Sequence, residues 1–170
     1  MKLYLFFPYF ALALLMAACD QRPSVVQREG EPDYYRVQDH AAMDAAIARA
    51  KADLATFRSA LERPSPTQTY FSVKKPFPYR KDGEEHQEHI WIQDVKLTGN
   101  GFTGTVGNEP VDTRDVALGE SVLVKDEDVS DWMIVDGGTL IGGFTIRVLR
   151  DSLSEQERNS FDQSVPFRIE

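Results

Sequence analysis

Histidine and glutamate side chains crowd into one short stretch of the chain. His86 and His89 stand among three glutamates in the run Glu84-Glu85-His86-Gln87-Glu88-His89, and both residue types bind zinc. Because His89 leads a predicted strand, His86 and His89 are expected to point to opposite faces. A metal-dependent hydrolase that uses these histidines is one hypothesis. A solvated polar start of a strand is the simpler interpretation, so we predict no metal site and no cofactor.

A binding surface is predicted in the strand that follows. His89 and Trp91 share one face of that strand, and Ile90 and Ile92 share the other. If the isoleucines face the core, Trp91 is either covered by a helix or available to a ligand or partner. Aromatic and arginine side chains dominate many interfaces. The predicted candidate binding face consists of His89, Trp91, Trp132, Thr145 and Arg147.

Four glycines lie between residues 131 and 147. Gly137-Gly138 and Gly142-Gly143 predict tight backbone turns at the end of an apolar run. Exposed N–H groups at the start of a following helix could hold an anion. However, no Lys-Ser or Lys-Thr pair follows, and the Gly-x-Gly-x-x-Gly order is absent. Tight turns are therefore favoured over a phosphate-binding loop.

Two other patterns match known sites only in part. Acidic residues at positions 126, 127, 128 and 131 lack the glycine and final glutamate of a calcium-binding EF-hand loop. Gly119-Glu120-Ser121 is half of a nucleophile elbow, with Leu123 in place of its closing glycine. No combination of serine, histidine and acid stands out. We predict no catalytic residues and favour a protein that is not an enzyme.

The N-terminal residues are typical of a bacterial lipoprotein signal. Lys2 precedes an apolar run that ends in Met16-Ala17-Ala18, directly before Cys19. The run is shorter than the roughly 20 residues that cross a bilayer, and its basic start and small-residue end fit a secretion signal. We expect residues 1–18 to be removed and Cys19 to receive the lipid. An uncleaved anchor or a plain secreted protein is the alternative.

Localisation and partners follow from this signal. Asp20 directly follows Cys19 and resembles a sorting signal that retains lipoproteins in the inner membrane. We therefore expect a lipid-anchored protein on the periplasmic side of the cell envelope, in the inner rather than the outer membrane. A net charge of −8 opposes nucleic-acid binding. The expected partners are the bilayer, through Cys19, and an envelope protein.

The rest of the chain predicts a single α+β domain. Residues 19–38 are polar and interrupted by Pro23, Gly30 and Pro32, which predicts a flexible tether. Apolar residues then recur three and four apart, predicting a helix over 39–64 with Asp39 as its N-cap. This helix either packs on the sheet or forms a short coiled-coil seam for dimerisation. It is expected to form one unit with residues 65–170.

Residues 65–170 predict a small antiparallel sheet and a helical C-terminus. Asn100-Gly101 predicts a hairpin turn, and Ser154 with Glu157 predicts a capping box at a short terminal helix. Residues 75–85 are expected to form a loop because they contain Pro76 and Pro78. Residues 140–151 are expected to form a helix. Strands are expected over 70–74, 89–97, 102–106, 121–125 and 132–135.

Several of these segments together resemble a known family. Glu88-His89-Ile90-Trp91, the Asn-Gly hairpin, Ser130-Asp131-Trp132 and 142–147 follow in the order and spacing of the YegJ-like family, a bacterial domain of unknown function. The resemblance covers roughly residues 70–161. It implies a small envelope or cytoplasmic domain and no established activity. The resemblance leaves the function open. The anchor, the tether and the lack of a reactive constellation favour a non-enzymatic module that binds a protein or small ligand, with a hydrolase at His86 and His89 or a toxin-immunity or inhibitor protein as alternatives.

Overall fold

The computed structural model describes residues 25–27, 35–37 and 39–170. The predicted signal peptide, Cys19 and Asp20 lie outside the described residues. Within the predicted tether, β1 (Val25–Gln27) and β2 (Tyr35–Val37) pair with each other as antiparallel strands.

Two helices replace the single long helix that was expected. Asp39 Oδ1 accepts a hydrogen bond from Ala42 N at 3.0 Å, which confirms the predicted N-cap. α1 (His40–Ala52) and α2 (Leu54–Glu62) are divided at Asp53. The Asp53 carboxylate accepts a bond from Thr56 Oγ1 at 2.6 Å. Local bonding of this kind competes with the helical ladder and accounts for the break.

The α+β fold class is confirmed. The main sheet is antiparallel throughout, with strand order β6-β5-β4-β3-β7-β8. Two C-terminal helices complete the domain: α3 (Phe144–Asp151) and α4 (Glu155–Ser164). The strands are β3 (Gln68–Lys81), β4 (Glu84–Thr98), β5 (Gly101–Val106), β6 (Ser121–Lys125), β7 (Asp131–Asp136) and β8 (Thr139–Gly142).

The predicted loop over 75–85 is wrong, because these residues form most of a long hairpin. β3 continues through Pro76 and Pro78, which pair with His89 and Gln87 of β4. The pairing of β3 with β7 stops at Lys74↔Asp131, so both prolines follow the point where β3 loses that second neighbour. A proline is tolerated there because no ladder bond is needed on that side. The turn at Asp82 and Gly83, with φ of 54° and 85°, closes the hairpin.

The predicted helix over 140–151 is wrong in its first part. Residues 139–142 are the edge strand β8, which pairs with β7. Gly142 and Gly143 have φ of 71° and 59° and end this strand before α3 begins. Beyond α4, Arg168 forms a bridge to Thr139 of β8. The hairpin between β4 and β5 is confirmed, but its turn residues are Gly99 and Asn100, and Gly101 already pairs with Thr98. The Ser154 capping box is confirmed.

One face of the sheet packs against α1 and α2 and forms the core. Val73, Ile92 and Trp132 lie in one cross-strand row on this face. The ring centroid of Phe57 from α2 lies 5.5 Å from that of Phe102 and 5.5 Å from that of Trp132. We call the opposite side of the sheet the open face.

Candidate functional site

Lys74 lies at the centre of a row of side chains on the open face. It pairs in register with Trp91 of β4 and with Asp131 of β7. Residues opposite each other in neighbouring strands point to the same face. The sheet therefore brings a lysine, a tryptophan and an aspartate together, although Asp131 lies 57 positions from Lys74 along the chain.

The Lys74 ammonium is held by an aromatic ring and a hydroxyl. Its Nζ lies 5.0 Å from the ring centroid of Trp91, within the range of a cation–π contact. The same Nζ donates to Thr145 Oγ1 at 3.2 Å. Burial lowers the pKa of Lys74, and the negative charge of Asp131 opposes that change.

Asp131 is fully buried and caps α3. Its Oδ1 accepts bonds from the backbone N–H groups of Trp132 at 2.8 Å and Phe144 at 3.1 Å. Its Oδ2 accepts from Thr145 N at 2.8 Å and Thr145 Oγ1 at 2.6 Å. Burial raises the pKa of Asp131, while Lys74 and the bonds from Thr145 and Trp132 oppose the rise. The carboxylate thus satisfies the free N–H groups at the start of α3 and fixes that helix to the sheet.

His89 lies at the exposed rim of this row. Its Nδ1 is 2.9 Å from Ser130 Oγ, which itself donates to the backbone oxygen of Lys74 at 3.2 Å. Nδ1 therefore acts as the donor to Ser130, and Nε2 is left as an acceptor. Burial lowers the pKa of His89 to about 4, and the charge of Lys74 acts in the same direction. Water around the exposed part of the ring screens both effects, and the imidazole is neutral at pH 7.

The histidine and glutamate cluster predicted from the sequence is divided between the two faces. The His86 ring stacks on Tyr79 with centroids 5.2 Å apart, on the face opposite His89. Glu88 is buried, and its carboxylate accepts the N–H groups of Val111, Asp112 and Thr113 at 2.8–2.9 Å. Within the described residues, no group of three or more His, Cys, Asp or Glu side chains could hold a metal ion.

Two residues of the predicted binding face lie elsewhere. Trp132 is only 1% exposed and belongs to the core, where its indole N–H donates to Ala50 O at 3.1 Å. Arg147 uses its guanidinium to hold backbone oxygens of Gly142, Leu140 and Glu170. His89 and Trp91 do share the open face, and Thr145 joins them through Lys74. The alternation of apolar residues in β3 could have placed Lys74 on the face opposite Val73, but not next to Trp91.

The ladder between β3 and β4 is interrupted beside this row. It ends at Val73↔Ile92, and both strands then change register with their other neighbours, between Thr69 and Ser72 and between Gln93 and Lys96. Tyr70 and Asp94 have φ of 58° and 52° at these irregularities. Residues other than glycine adopt this left-handed backbone conformation at a cost in free energy. A cleft of about 350 Å³ opens where the strands part.

The cleft lies beside the Lys74 row, in the gap between the strands, where Leu61 of α2 also lines it. Ser72 and Gln93 line it and lie two positions from Lys74 and Trp91 along their strands. Gln93 Nε2 donates to Tyr70 Oη at 3.1 Å. Among the described residues, the buried hydroxyl of Ser72 has no hydrogen-bond partner. We call the combined surface the open-face patch, which consists of Tyr70, Ser72, Lys74, His89, Trp91 and Gln93.

Comparison with known proteins assigns the family. Residues 40–168 match the model of the family described as uncharacterized proteins conserved in bacteria, DUF2314. The chain belongs to this family. The matched range includes α1, α2 and the whole open-face patch, so it extends beyond the 70–161 stretch that carried the resemblance in the sequence.

The chain is also similar to two bacterial proteins. The chain is 42% identical over 87 residues to a putative ankyrin repeat protein of Neisseria meningitidis serogroup B, across 50% of this chain and 34% of that protein. It therefore spans about a third of the length of that relative. It is 30% identical over 119 residues to the uncharacterized protein YegJ of Escherichia coli K12, across 70% of this chain and 74% of YegJ.

Two comparisons gave negative results. No solved structure matches the chain. Among the helices of the described residues, none is both long enough and apolar enough to cross a membrane.

Proposed function

We propose that this DUF2314 protein is a non-enzymatic binding module, anchored by a lipid to the cell envelope, that holds its ligand on the open-face patch. The observation that carries this proposal is the interruption between β3 and β4. These strands are the two longest of the sheet and pair over nine residues of each, yet they part beside Lys74 and Trp91. A concave site lined by apolar and a few polar side chains is the usual form of a ligand site.

The contacts around Lys74 support binding rather than catalysis. The ammonium is held between the Trp91 ring and Thr145, and both oxygens of Asp131 already accept two hydrogen bonds each. Groups with their partners in place keep their positions before a ligand arrives. A pre-ordered surface loses less conformational entropy on binding. This arrangement supports a rigid platform beside the cleft.

Membrane attachment through Cys19 is part of the same proposal. The sequence before Cys19 supports removal of residues 1–18, and Asp20 supports retention on the periplasmic side of the inner membrane. Two or more acyl chains give stable anchoring, at about 0.8 kcal/mol per buried methylene. Metabolic labelling with palmitate should mark the wild type, and Cys19→Ala should lose both the label and the membrane fraction. A labelled or membrane-bound Cys19→Ala protein would refute lipidation at this residue.

Native mass spectrometry of the lipidated protein, purified gently from the envelope, tests the binding function. We expect a bound mass on the wild type that is lost in Trp91→Ala and in Lys74→Met. The matched control is Leu118→Ala, because Leu118 is 54% exposed and does not belong to the patch. The melting temperatures of all variants are measured in parallel to separate lost binding from lost folding. If the folded Trp91→Ala and Lys74→Met proteins still carry the bound mass, the proposal is wrong.

A further inference from the structure

We propose that the cleft between β3 and β4 binds a compact, uncharged, hydroxyl-rich ligand of about one sugar ring. This inference rests on the proposed binding function and specifies the ligand chemistry. It is carried by the backbone at Tyr70 and Asp94, by the Ser72 hydroxyl and by the polar and aromatic groups that line the cleft.

The backbone of the cleft is held in an uncommon conformation on both sides. Tyr70, Asp82 and Asp94 are the residues other than glycine with positive φ in the described part of the chain. Asp82 lies in a hairpin turn, where the turn itself requires that conformation. Tyr70 and Asp94 lie within long strands, at the register shifts of the two ladders, and β-bulges of this kind are common beside functional sites. Residues with positive φ raise the free energy of the folded state. They cluster at functional sites, where the surrounding structure holds them in place.

Ser72 supplies an unmet hydrogen-bonding group. It lines the cleft and is 1% exposed, and its hydroxyl has no partner among the described residues. A buried hydroxyl without a partner destabilises the fold, because the water that would satisfy it in the unfolded chain has been removed. A ligand hydroxyl, which both donates and accepts, would supply the missing partner after a small opening of the cleft, because the Ser72 oxygen is covered in the free protein.

The other lining groups fit a neutral ligand. Tyr70 Oη accepts a bond from Gln93 Nε2, so the phenol proton can be donated to a ligand. Asp94 and Lys96 carry opposite charges at the exposed surface of the cleft, and their balance favours an uncharged molecule over an anion or a cation. Tyr70 is 47% exposed, and its ring offers an apolar surface against which the C–H face of a sugar can pack.

The size of the cleft limits the ligand to a compact molecule. Its volume of about 350 Å³ is near the lower end of ligand pockets, which span about 300–1,000 Å³. The C-terminal part of α2 forms one wall through Leu61. A single ring therefore fits the cleft better than an extended chain.

Saturation-transfer-difference NMR on the full lipidated protein in nanodiscs tests the ligand class. The probes are glucose and N-acetylglucosamine, with glucuronic acid and glucosamine as charged counterparts of similar size. We expect signals from the neutral sugars and about tenfold weaker binding of the charged ones. Absence of signal from all four sugars, with the bound mass of the proposed function still present, would overturn the ligand class and leave the binding function standing.

Substitutions in the cleft test the location. Ser72→Ala should weaken binding of the neutral sugars about tenfold without lowering the melting temperature, because the removed hydroxyl was unpaired. Ser121→Ala, an exposed serine on β6, is the control. Asp94→Asn keeps a residue that tolerates left-handed backbone. The loss of the negative charge should weaken binding of the positively charged glucosamine. Asp82→Asn is the control and should leave the affinity for every sugar unchanged. Unchanged affinities in Ser72→Ala and Asp94→Asn would overturn the cleft as the site.

Discussion

Lys74 and Asp131 are opposite partners in the β3–β7 ladder, and Thr145 Oγ1 joins their charged groups with bonds of 3.2 and 2.6 Å. The sheet and the first turn of α3 are therefore connected by one polar chain. A buried charge that loses its partner destabilises a protein more than the intact pair stabilises it.

Asp131→Asn should accordingly destabilise the domain by roughly 3 kcal/mol, because an amide cannot accept all four bonds that the carboxylate accepts and Lys74 loses the nearby negative charge. Lys74→Met added to Asp131→Asn should restore part of the loss, because it removes the unpaired ammonium. Urea unfolding of both single variants and the double variant measures this coupling. Losses that simply add would show that the two charges do not interact.

His89 should make stability depend on pH between about 6.5 and about 4. The folded-state pKa of His89 is lowered from 6.5 to about 4, so in this window the unfolded chain binds a proton that the folded chain does not. Stability contributed by the neutral ring is present above this window and is lost as the pH falls through it. Melting temperatures of the wild type and His89→Gln should converge as the pH is lowered across the window.

His86→Gln is the matched control for that experiment, because His86 lies in the same strand on the opposite face. A pH profile of His89→Gln that runs parallel to that of the wild type would contradict the assignment.

Glu88 should stabilise the loop between β5 and β6. Its carboxylate accepts three successive backbone N–H groups, from Val111, Asp112 and Thr113. Glu88→Gln places an amide N–H₂ against these donors and should cost about 1–3 kcal/mol. Hydrogen exchange should also accelerate at those three amides. Glu85→Gln, an exposed neighbour on the same strand, is the control, and unchanged protection in Glu88→Gln would refute this role.

Alanine substitutions at two glycines with positive φ distinguish the stability cost of backbone strain from that of side-chain crowding. A Cβ at Gly137 would meet no atom within 4 Å, whereas one at Gly142 would lie 2.4 Å from Trp132 O. Gly137→Ala should cost about 1 kcal/mol from the left-handed backbone alone. Gly142→Ala should cost about 1–3 kcal/mol more, because the added methyl overpacks the region beside Trp132. If Gly137→Ala and Gly142→Ala lose equal stability in thermal unfolding, local movement has relieved the crowding at Gly142 and the prediction is wrong.

The parts of the fold that were predicted correctly depend on local signals. The helix starts at Asp39 and Ser154 and the turn over 98–101 depend on immediate neighbours, so the sequence is sufficient to predict the two helix starts and the hairpin. The helix-to-strand change at residues 139–142 depends on β7, which provides the ladder partner. The continuation of β3 through Pro76 and Pro78 depends on where β7 ends. Neither relationship is contained in a short window of sequence.

The candidate site was predicted only in part for the same reason. Alternation placed His89 and Trp91 together on one face, and the structure puts them there. Alternation could not distinguish Trp91 from Trp132, because both lie in strands with apolar neighbours. The positions of α1 and α2 make Trp132 the buried one. Lys74 was missed because its partners are set by register across three strands. The cleft depends on two bulges in different strands, which no single segment determines.

The two prolines of β3 also bear on solubility. Beyond Lys74, β3 has no pairing with β7, and that edge of the hairpin would otherwise present a regular series of donors and acceptors to a second copy of the chain. Pro76 and Pro78 remove two successive donors from it. An exposed edge interrupted in this way resists strand addition and aggregation. At the high local concentration that attachment to a membrane surface would create, such protection would keep neighbouring copies separate.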